Sequence, residues 1–182
     1  MGLKYDTLLR LAGRARHWAG AQSPQARALA RRLRRGEAPE PIELEEAVCE
    51  AVAGGLRSPD PAPPRATATR FEARLADSVA HELAMRFDER LTLAELAAPH
   101  GVSMFAVCRA FRSARRTSVH RTLQRLRVRH ALALMLDTSW SLARIAAECG
   151  FASHAHLTGL FRRELGASPS RLRRERLSVW PG

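Results

Sequence analysis

Apolar residues recur along this chain at intervals of three and four positions, which predicts helices and hardly any strand. Near the start, one helical face carries Tyr5, Leu8, Leu9, Ala12, Ala15 and Trp18. A second helix is predicted to begin with Ser23 as its N-cap and Pro24 at its first position, and to end at Gly36. A third covers residues 42–56, with glutamates concentrated in its first half as the helix dipole favours. Its apolar face is predicted to contain Leu44, Val48, Ala51 and Val52. We therefore expect an all-α fold.

A proline-rich segment interrupts this helical pattern. Residues 58–70, SPDPAPPRATATR, contain four prolines and show no periodicity, which is typical of an extended, semi-rigid linker. We expect a small helical segment in residues 1–57 and a second domain in residues 71–182. That domain is predicted to open with a helix over residues 71–87, whose apolar face carries Leu75, Val79, Leu83 and Phe87.

The second domain contains an internal repeat, in which LTLAELAAPHGVSMFAVCRAFR aligns with WSLARIAAECGFASHAHLTGLFR. Seven positions of matching type recur, at an offset of 49 residues before the turn and 50 after it. In the first copy they are Leu93, Leu96, Ala97, Gly101, Ser103, Val107 and Phe111. In the second copy they are Leu142, Ile145, Ala146, Gly150, Ser153, Leu157 and Phe161. A locked offset over seven positions indicates a duplicated module.

Each copy is predicted to form a short helix, a tight turn at glycine and a second helix capped by serine. Gly101 and Gly150 stand where a positive φ is needed, and Ser103 and Ser153 can accept hydrogen bonds from the backbone of the following helix. This is the helix-turn-helix layout, in which the second helix can enter the major groove of DNA. An ordinary helical hairpin shows the same pattern, but two copies in a basic segment favour DNA. We place the two units at about residues 92–115 and 141–165.

A long helix is predicted between the two units, over residues 118–136. Leu123, Leu126, Ala131, Leu134 and Met135 can give it a buried face. Arg121, Arg125 and Arg129 recur every four residues on another face, where a solvated surface and phosphate contact are equally compatible with the spacing. We expect this helix to hold the two reading helices against successive major grooves, about 34 Å apart.

Positive charge is concentrated in the second half of the chain. Residues 100–182 contain 15 arginines, no lysine and 4 acidic residues, which gives +11 of the chain's net charge of +12. A basic segment of this kind predicts a polyanionic partner. Nucleic acid is favoured over an anionic membrane, because the arginines are spread over several predicted helices. We expect no membrane span, since no apolar run approaches the ~20 residues required, and no signal peptide. Three cysteines without a CxxC pair suit a reducing cytoplasm.

Residues 77–176 resemble the DNA-binding domain of the AraC/XylS family of bacterial transcription regulators. The resemblance is carried by IAAECGF, LFRREL and GASPSRLR of the second repeat and by LRVRHALALML of the long helix. It implies two helix-turn-helix units that bind promoter DNA and, in the usual case, recruit or position RNA polymerase. Because the first 58 residues show no strand pattern, we do not expect them to form the effector-binding β-barrel that many members carry. Residues 22–57 resemble the helical hairpin that often follows that barrel, so we expect self-association or a protein contact there, with a purely stabilising bundle as the alternative.

The resemblance also implies individual DNA contacts. Bases are expected to be read by Phe105, Cys108, Arg109, His154, Ala155, His156 and Gly159. Phosphates are expected to be bound by Ser103, Arg112, Arg127, Ser153, Thr158, Arg162 and Arg163. Arg109 can bond bidentately to guanine.

The sequence departs from the family pattern at several positions. Gly159 stands where members often carry a second arginine, and Ala155 replaces a common polar residue. Arg116 and Val119 replace the usual glycine and proline after the first reading helix, so we expect a different turn there. The second unit keeps Gly166 and Pro169 at the same places.

Three other functions compete with a DNA-binding regulator. A metal site at His154 and His156 is disfavoured because no acidic or cysteine ligand lies beside them, and we expect no metal or cofactor. A DNA-repair enzyme would need an activated cysteine, whereas Cys108 and Cys149 are interpreted as packing residues and Cys49 has acidic neighbours. We therefore expect no catalytic residue. A protein-interaction or non-specific DNA-binding module derived from the same fold is the remaining alternative.

Overall fold

The computed structural model describes residues 29, 31–33, 35, 38–55 and 68–179, and these residues form helices, turns and loops with no strand among them. The all-α prediction is confirmed for this part of the chain. The longer helices are α1 (Pro41–Gly55), α2 (Arg70–Met85), α3 (Leu93–Ala97), α4 (Met104–Arg115), α5 (Val119–Asp137), α6 (Leu142–Glu148), α7 (His154–Leu165) and α8 (Pro169–Val179). A 3₁₀ turn, Ala98–His100, follows α3.

The chain divides into two compact units. One contains the residues up to Glu82 together with Arg90–His120, and the other contains Leu83–Glu89 together with the residues from Arg121 onward. The first unit therefore groups α1 with the first helix-turn-helix, α3 and α4. The second contains the second helix-turn-helix, α6 and α7.

The core of the first unit lies where α1 packs against α3 and α4. Its fully buried side chains include Ile42, Leu44, Leu93, Leu96, Val107 and Phe111. Two glutamates of α1 complete this packing with hydrogen bonds to helix N-termini, where backbone N–H groups lack intrahelical partners. Glu45 accepts from the backbone N–H of Leu93, and Glu46 accepts from the N–H groups of Val119 (2.6 Å) and His120 (3.3 Å). Helix α1 therefore fixes where both α3 and α5 begin.

Both glycine turns have the predicted geometry. Gly101 has φ 61° and Gly150 has φ 70°, so each lies in the left-handed region that glycine adopts without strain. The serine caps are also as predicted: Ser103 accepts from Ala106 N–H at 3.3 Å, and Ser153 accepts from His156 N–H at 3.1 Å. These caps determine where α4 and α7, the two predicted reading helices, begin.

The turns that follow the reading helices are alike, so the expectation of a different turn in the first unit is wrong. Gly166 ends α7 with φ 73°, and Arg116 ends α4 with φ 53°, which is also left-handed. An arginine adopts this conformation at a steric cost that glycine avoids. The sequence change at this position therefore alters the energy of the turn without altering its type.

The core of the second unit is formed by residues of α5, α6 and α7. Its buried members are Val128, Ala131, Met135, Ile145, Ala146, Cys149, Phe151, Leu157, Leu160 and Phe161. Gly150 is also tightly enclosed, because a Cβ atom built there would lie 2.4 Å from the carbonyl oxygen of Asp88. The second turn thus passes directly against the backbone that follows α2.

Several predictions concern residues that the structure does not describe. The helix over residues 5–18, the N-cap of the second helix at Ser23 and linker residues 58–67 lie outside the described residues, whereas residues 31–33 are helical. The separate N-terminal domain and its role in self-association therefore stay predictions. The helix predicted for residues 42–56 is α1, and that predicted for residues 118–136 is α5, each within one residue of the expected bounds.

Candidate nucleic-acid interface

The first reading helix, α4, is strongly amphipathic. Its inner face buries Val107, Ala110 and Phe111. Its outer face exposes Phe105 (37%) and the side chain of Arg109 (69%), which stand one helical turn apart. These two residues are thus accessible for base contacts, as the family resemblance implies. A large aromatic ring and a guanidinium side by side can offer an apolar contact and a bidentate donor to a base edge.

Cys108 is not placed for base reading. Its side chain is 4% exposed, and its thiol contacts that of Cys49 on α1. The hydrogen bond with Cys49 and then burial raise the pKa of the Cys108 thiol. Cys108 is therefore a packing residue between α4 and α1, because the helical face it occupies points into the core. Its protonated thiol also lacks the character of a nucleophile.

Carboxylates surround the arginines of this helix. Arg109 forms an ion pair with Glu72 of α2 (Nε to Oε1, 3.4 Å), Arg112 pairs with Glu50 of α1, and Arg115 pairs with Asp77 (Nη2 to Oδ1, 2.9 Å). The sequence reasoning missed these partners, since all three pairs join residues at least 37 positions apart. Part of the positive charge of this surface is thus balanced within the unit.

The second reading helix, α7, exposes a different set of residues. His154, Ala155 and Gly159 are exposed, whereas His156 is half-buried with its ring edge-on to Phe151 (5.7 Å between centroids). The hydroxyl of Thr158 lies 3.4 Å from Nε2 of His154. A Cβ built on Gly159 meets nothing within 4 Å, so this position leaves open space on the outer face. The exposed side of α7 therefore carries His154 and, at the position where α4 has Arg109, a glycine without a side chain.

Basic side chains are clustered at the end of α7. Arg162 and Arg163 are exposed in its last turn, and Nη2 of Arg163 donates to Oε1 of Gln124 on α5 (2.6 Å). Glu164 lies among Arg121, Arg125 and Arg163, at 3.9, 3.1 and 3.3 Å. Burial raises the pKa of Glu164, but the hydrogen bond from Arg125 and the neighbouring positive charges outweigh it and lower that pKa overall. One carboxylate thus holds several arginines together on this surface.

Arg127 does not lie at a surface, and the expectation that it binds phosphate is wrong. Its residue is 1% exposed, and its guanidinium donates to the backbone carbonyl oxygens of Phe87 (2.6 Å) and Glu89 (2.8 Å). Buried charged groups need such partners, and these hydrogen bonds attach α5 to the segment after α2. The predicted row of Arg121, Arg125 and Arg129 on α5 gave no sign that Arg127 points inward.

In the part of the chain that the structure describes, no group of three or more His, Cys, Asp or Glu side chains lies close enough together to hold a metal ion. None of the described helices combines the length and apolarity that a membrane span needs. Cys149, in the second unit, is buried, and this burial is the main reason that the pKa of its thiol is raised to about 11.

Comparison with known proteins finds a family and several regulators to which part of this chain is similar. The family described as "Helix-turn-helix domain" matches residues 96–175. The HTH-type transcriptional regulator GlxA of Rhizobium meliloti (strain 1021) is 37% identical over 86 residues, 47% of this chain and 26% of the relative. The HTH-type transcriptional activator RhaS of Klebsiella pneumoniae (strain 342) is 32% identical over 112 residues, 62% of this chain and 40% of the relative. The chain thus spans less than half the length of these curated relatives.

Two solved structures share the fold. The DNA-binding domain of the global transcriptional factor AdpA, solved in complex with a target DNA, superposes with a TM-score of 0.53 at 33% identity, over 59% of this chain and 96% of that one. A probable AraC family transcriptional regulator from Rhodopseudomonas palustris CGA009 superposes with a TM-score of 0.53 at 25% identity, over 56% and 96%. Residues 96–175 of this chain thus match a helix-turn-helix family, and its C-terminal part is similar to the DNA-binding domains of AraC-family regulators.

Proposed function

We propose that this chain is a sequence-specific DNA-binding transcription regulator that performs no chemistry. Two helix-turn-helix units, each exposing one face of a reading helix in a segment of high positive charge, support this function. The AdpA domain, similar at 33% identity, was solved with its target DNA. Promoter DNA is the proposed partner, the cytoplasm the proposed location, and RNA polymerase and a second copy of the chain are further proposed contacts.

Base reading is assigned to the exposed face of each reading helix. In the first unit, Phe105 and Arg109 are the proposed readers, and Arg109 is the side chain that can select a guanine. In the second unit, the corresponding face carries His154, Ala155 and Gly159, with the half-buried His156 beside them. Because Ala155 and Gly159 offer no hydrogen-bonding side chain, the second unit is expected to discriminate less between bases than the first.

Phosphate binding is assigned to the helix N-termini and to the basic residues near the helix ends. The proposed contacts are Ser103, Arg112, Ser153, Thr158, Arg162 and Arg163. Such contacts position a protein on the duplex without reading sequence, and they make binding weaken steeply as salt rises.

The decisive experiment is a selection of binding sites from random duplex DNA with the purified full-length chain. Two short enriched blocks about one helical turn apart are expected. Arg109→Ala should then relax the preference at one base position by about 1–3 kcal/mol. Arg162→Ala should weaken binding to all sequences alike and reduce the salt dependence by about one phosphate contact. The reverse pattern for these two variants would contradict the assigned orientation of the reading helices.

A second function is favoured by the open position at Gly159. A unit without a strong base reader suits non-specific DNA binding or contact with another protein. Salt-sensitive binding without any enriched sequence would support the non-specific module. Salt-insensitive or absent DNA binding would support the protein-interaction module.

A further inference from the structure

We propose that Glu72 is a positioning residue for Arg109, and that it sets the strength of base selection by the first reading helix. This inference rests on the proposed function, because it concerns how Arg109 is presented to DNA. Glu72 lies on α2, outside the helix-turn-helix itself and outside the residues 96–175 that match the family.

The carboxylate of Glu72 is held in place before any DNA arrives. Its Oε2 atom accepts hydrogen bonds from the backbone N–H of Thr69 (3.0 Å), the hydroxyl of Thr69 (3.2 Å) and the hydroxyl of Ser113 (3.3 Å). Thr69 in turn accepts from the N–H of Glu72 at 3.1 Å, which completes a reciprocal capping arrangement at the start of α2. The side chain of Glu72 is only 9% exposed. It is therefore a rigid acceptor, in contrast to an ordinary surface glutamate.

The other oxygen of this carboxylate faces Arg109. Oε1 lies 3.4 Å from Nε of the guanidinium, whose side chain remains 69% exposed. A contact at Nε leaves the two terminal nitrogens of the guanidinium, and these can donate together to O6 and N7 of a guanine. Glu72 is thus placed to orient the side chain without occupying the atoms that would read the base.

Orientation matters here because arginine is long and flexible. Ordering such a side chain on binding costs free energy, and a contact that restricts it beforehand reduces that cost. The hydrogen bond from the Thr69 backbone, foremost among several, lowers the pKa of Glu72, so the carboxylate stays ionised near neutral pH. The pair is solvent-accessible on the Arg109 side, so we expect a modest contribution, about two- to five-fold in base discrimination.

The test uses Glu72→Gln in the full-length chain. Glutamine can preserve the capping arrangement with Thr69, but it removes the negative charge that holds Arg109. Binding constants are measured for the selected duplex and for the three variants of the base pair whose preference Arg109→Ala relaxes. We expect Glu72→Gln to reduce discrimination at that base pair by about two- to five-fold and to leave the other positions unchanged. In the Arg109→Ala background it should have no effect on discrimination.

Two further variants control for charge and for stability. Glu89→Gln removes an equal charge from an ion pair with Arg86 (2.8 Å) that includes no residue of α4, and it should leave base discrimination intact. Ser113→Ala removes one of the hydrogen bonds that fix Glu72 but keeps its charge, and it should act in the same direction with a smaller effect. If Glu72→Gln lowers the melting temperature markedly, the base discrimination of Ser113→Ala is the result that tests the role of Glu72.

The outcomes separate this inference from the proposed function. If the wild-type chain selects no sequence, or if Arg109→Ala changes no preference, the assigned role of Arg109 fails and the inference fails with it. If Arg109→Ala relaxes one position but Glu72→Gln does not, only the inference is overturned. An equal loss at every position, or the same loss in the Arg109→Ala background, would also overturn it.

Discussion

The two reading helices occupy equivalent places in the repeat but are supported differently. In α4, Arg109 and Arg112 are paired with carboxylates from α2 and α1. At the equivalent positions, 50 residues later, α7 has Gly159 and Arg162. The side chain of Arg162 has no ion-pair partner among the residues that the structure describes. In the first reading helix, the charges of these arginines are therefore held and partly neutralised by carboxylates. In the second, the charge of Arg162 is not. We infer that the duplicated units suit different tasks, base reading in the first and backbone binding in the second.

The largest expected difference in stability between equivalent substitutions in the two units is at their turn glycines. Both have positive φ, but a Cβ at Gly101 meets nothing within 4 Å, whereas one at Gly150 would lie 2.4 Å from the Asp88 carbonyl oxygen. Gly101→Ala should cost about 1–2 kcal/mol for the left-handed conformation alone. Gly150→Ala should cost about 3 kcal/mol or more, because the clash with backbone adds to it. Urea unfolding of the two variants checks this, and equal losses would contradict the close approach at Gly150.

Glu46 of the first unit predicts a pH dependence of stability opposite in sign to the one that Glu164 predicts for the second unit. Burial raises the pKa of Glu46 from 4.5 to about 7, even though hydrogen bonds from Ser118, Val119 and His120 oppose the shift. The folded state therefore holds this proton more tightly than the unfolded state. The resulting stabilisation is complete below about pH 4.5 and is lost as pH rises towards 7, by about 3 kcal/mol.

Glu46→Gln should remove this loss, because glutamine does not ionise. Unfolding free energies measured at pH 5, 6, 7 and 8 should fall for the wild type relative to this variant. Glu164→Gln is the matched control, since the pKa of Glu164 is lowered and its contribution changes only in more acidic solution. A wild-type curve parallel to that of Glu46→Gln would show that Glu46 is ionised in the folded protein throughout this range.

A smaller effect on stability is expected at the residues that end the two reading helices. Arg116 adopts φ 53° where its counterpart Gly166 adopts φ 73°. Arg116→Gly should stabilise the chain by about 1 kcal/mol, and Gly166→Arg should destabilise it by a similar amount, because only glycine avoids the left-handed penalty. Paired thermal and urea denaturation measure both. A loss of stability in Arg116→Gly would mean that contacts of the arginine side chain outweigh the backbone strain.

The smallest expected effect is at Gly159. Its Cβ position is open, and a glycine inside a helix is less favourable than alanine. Gly159→Ala should therefore raise the unfolding free energy by about 0.5–1 kcal/mol. Gly159→Arg, compared with this variant, introduces the side chain that Arg109 supplies in the first unit. It should tighten DNA binding and add a preferred base in a repeated site selection, and unchanged selection would show that α7 does not approach base edges.

Local signals predicted the fold well. The helices, the serine caps and the two positive-φ glycines follow from periodicity and short-range rules. The same rules could have identified the Thr69–Glu72 capping arrangement, since a threonine followed three residues later by glutamate is its signature. They missed the burial of Cys108 and Arg127, because both depend on which distant segments pack against α4 and α5. The pairs of Arg109, Arg112 and Arg115 with carboxylates are equally invisible, since no spacing rule connects residues that far apart.

Helix α1 has a consequence for how this domain can be recombined with others. Its glutamates supply acceptors to the first backbone N–H groups of α3 and α5, and Glu50 pairs with Arg112. A fragment that begins at α2 would leave those donors to water and uncover the apolar side chains beneath α1. One that begins at residue 96, where the family match starts, would also lack the first turn of α3. A fusion protein that joins this domain to a new sensor domain should therefore be joined before Pro41, so that it retains α1.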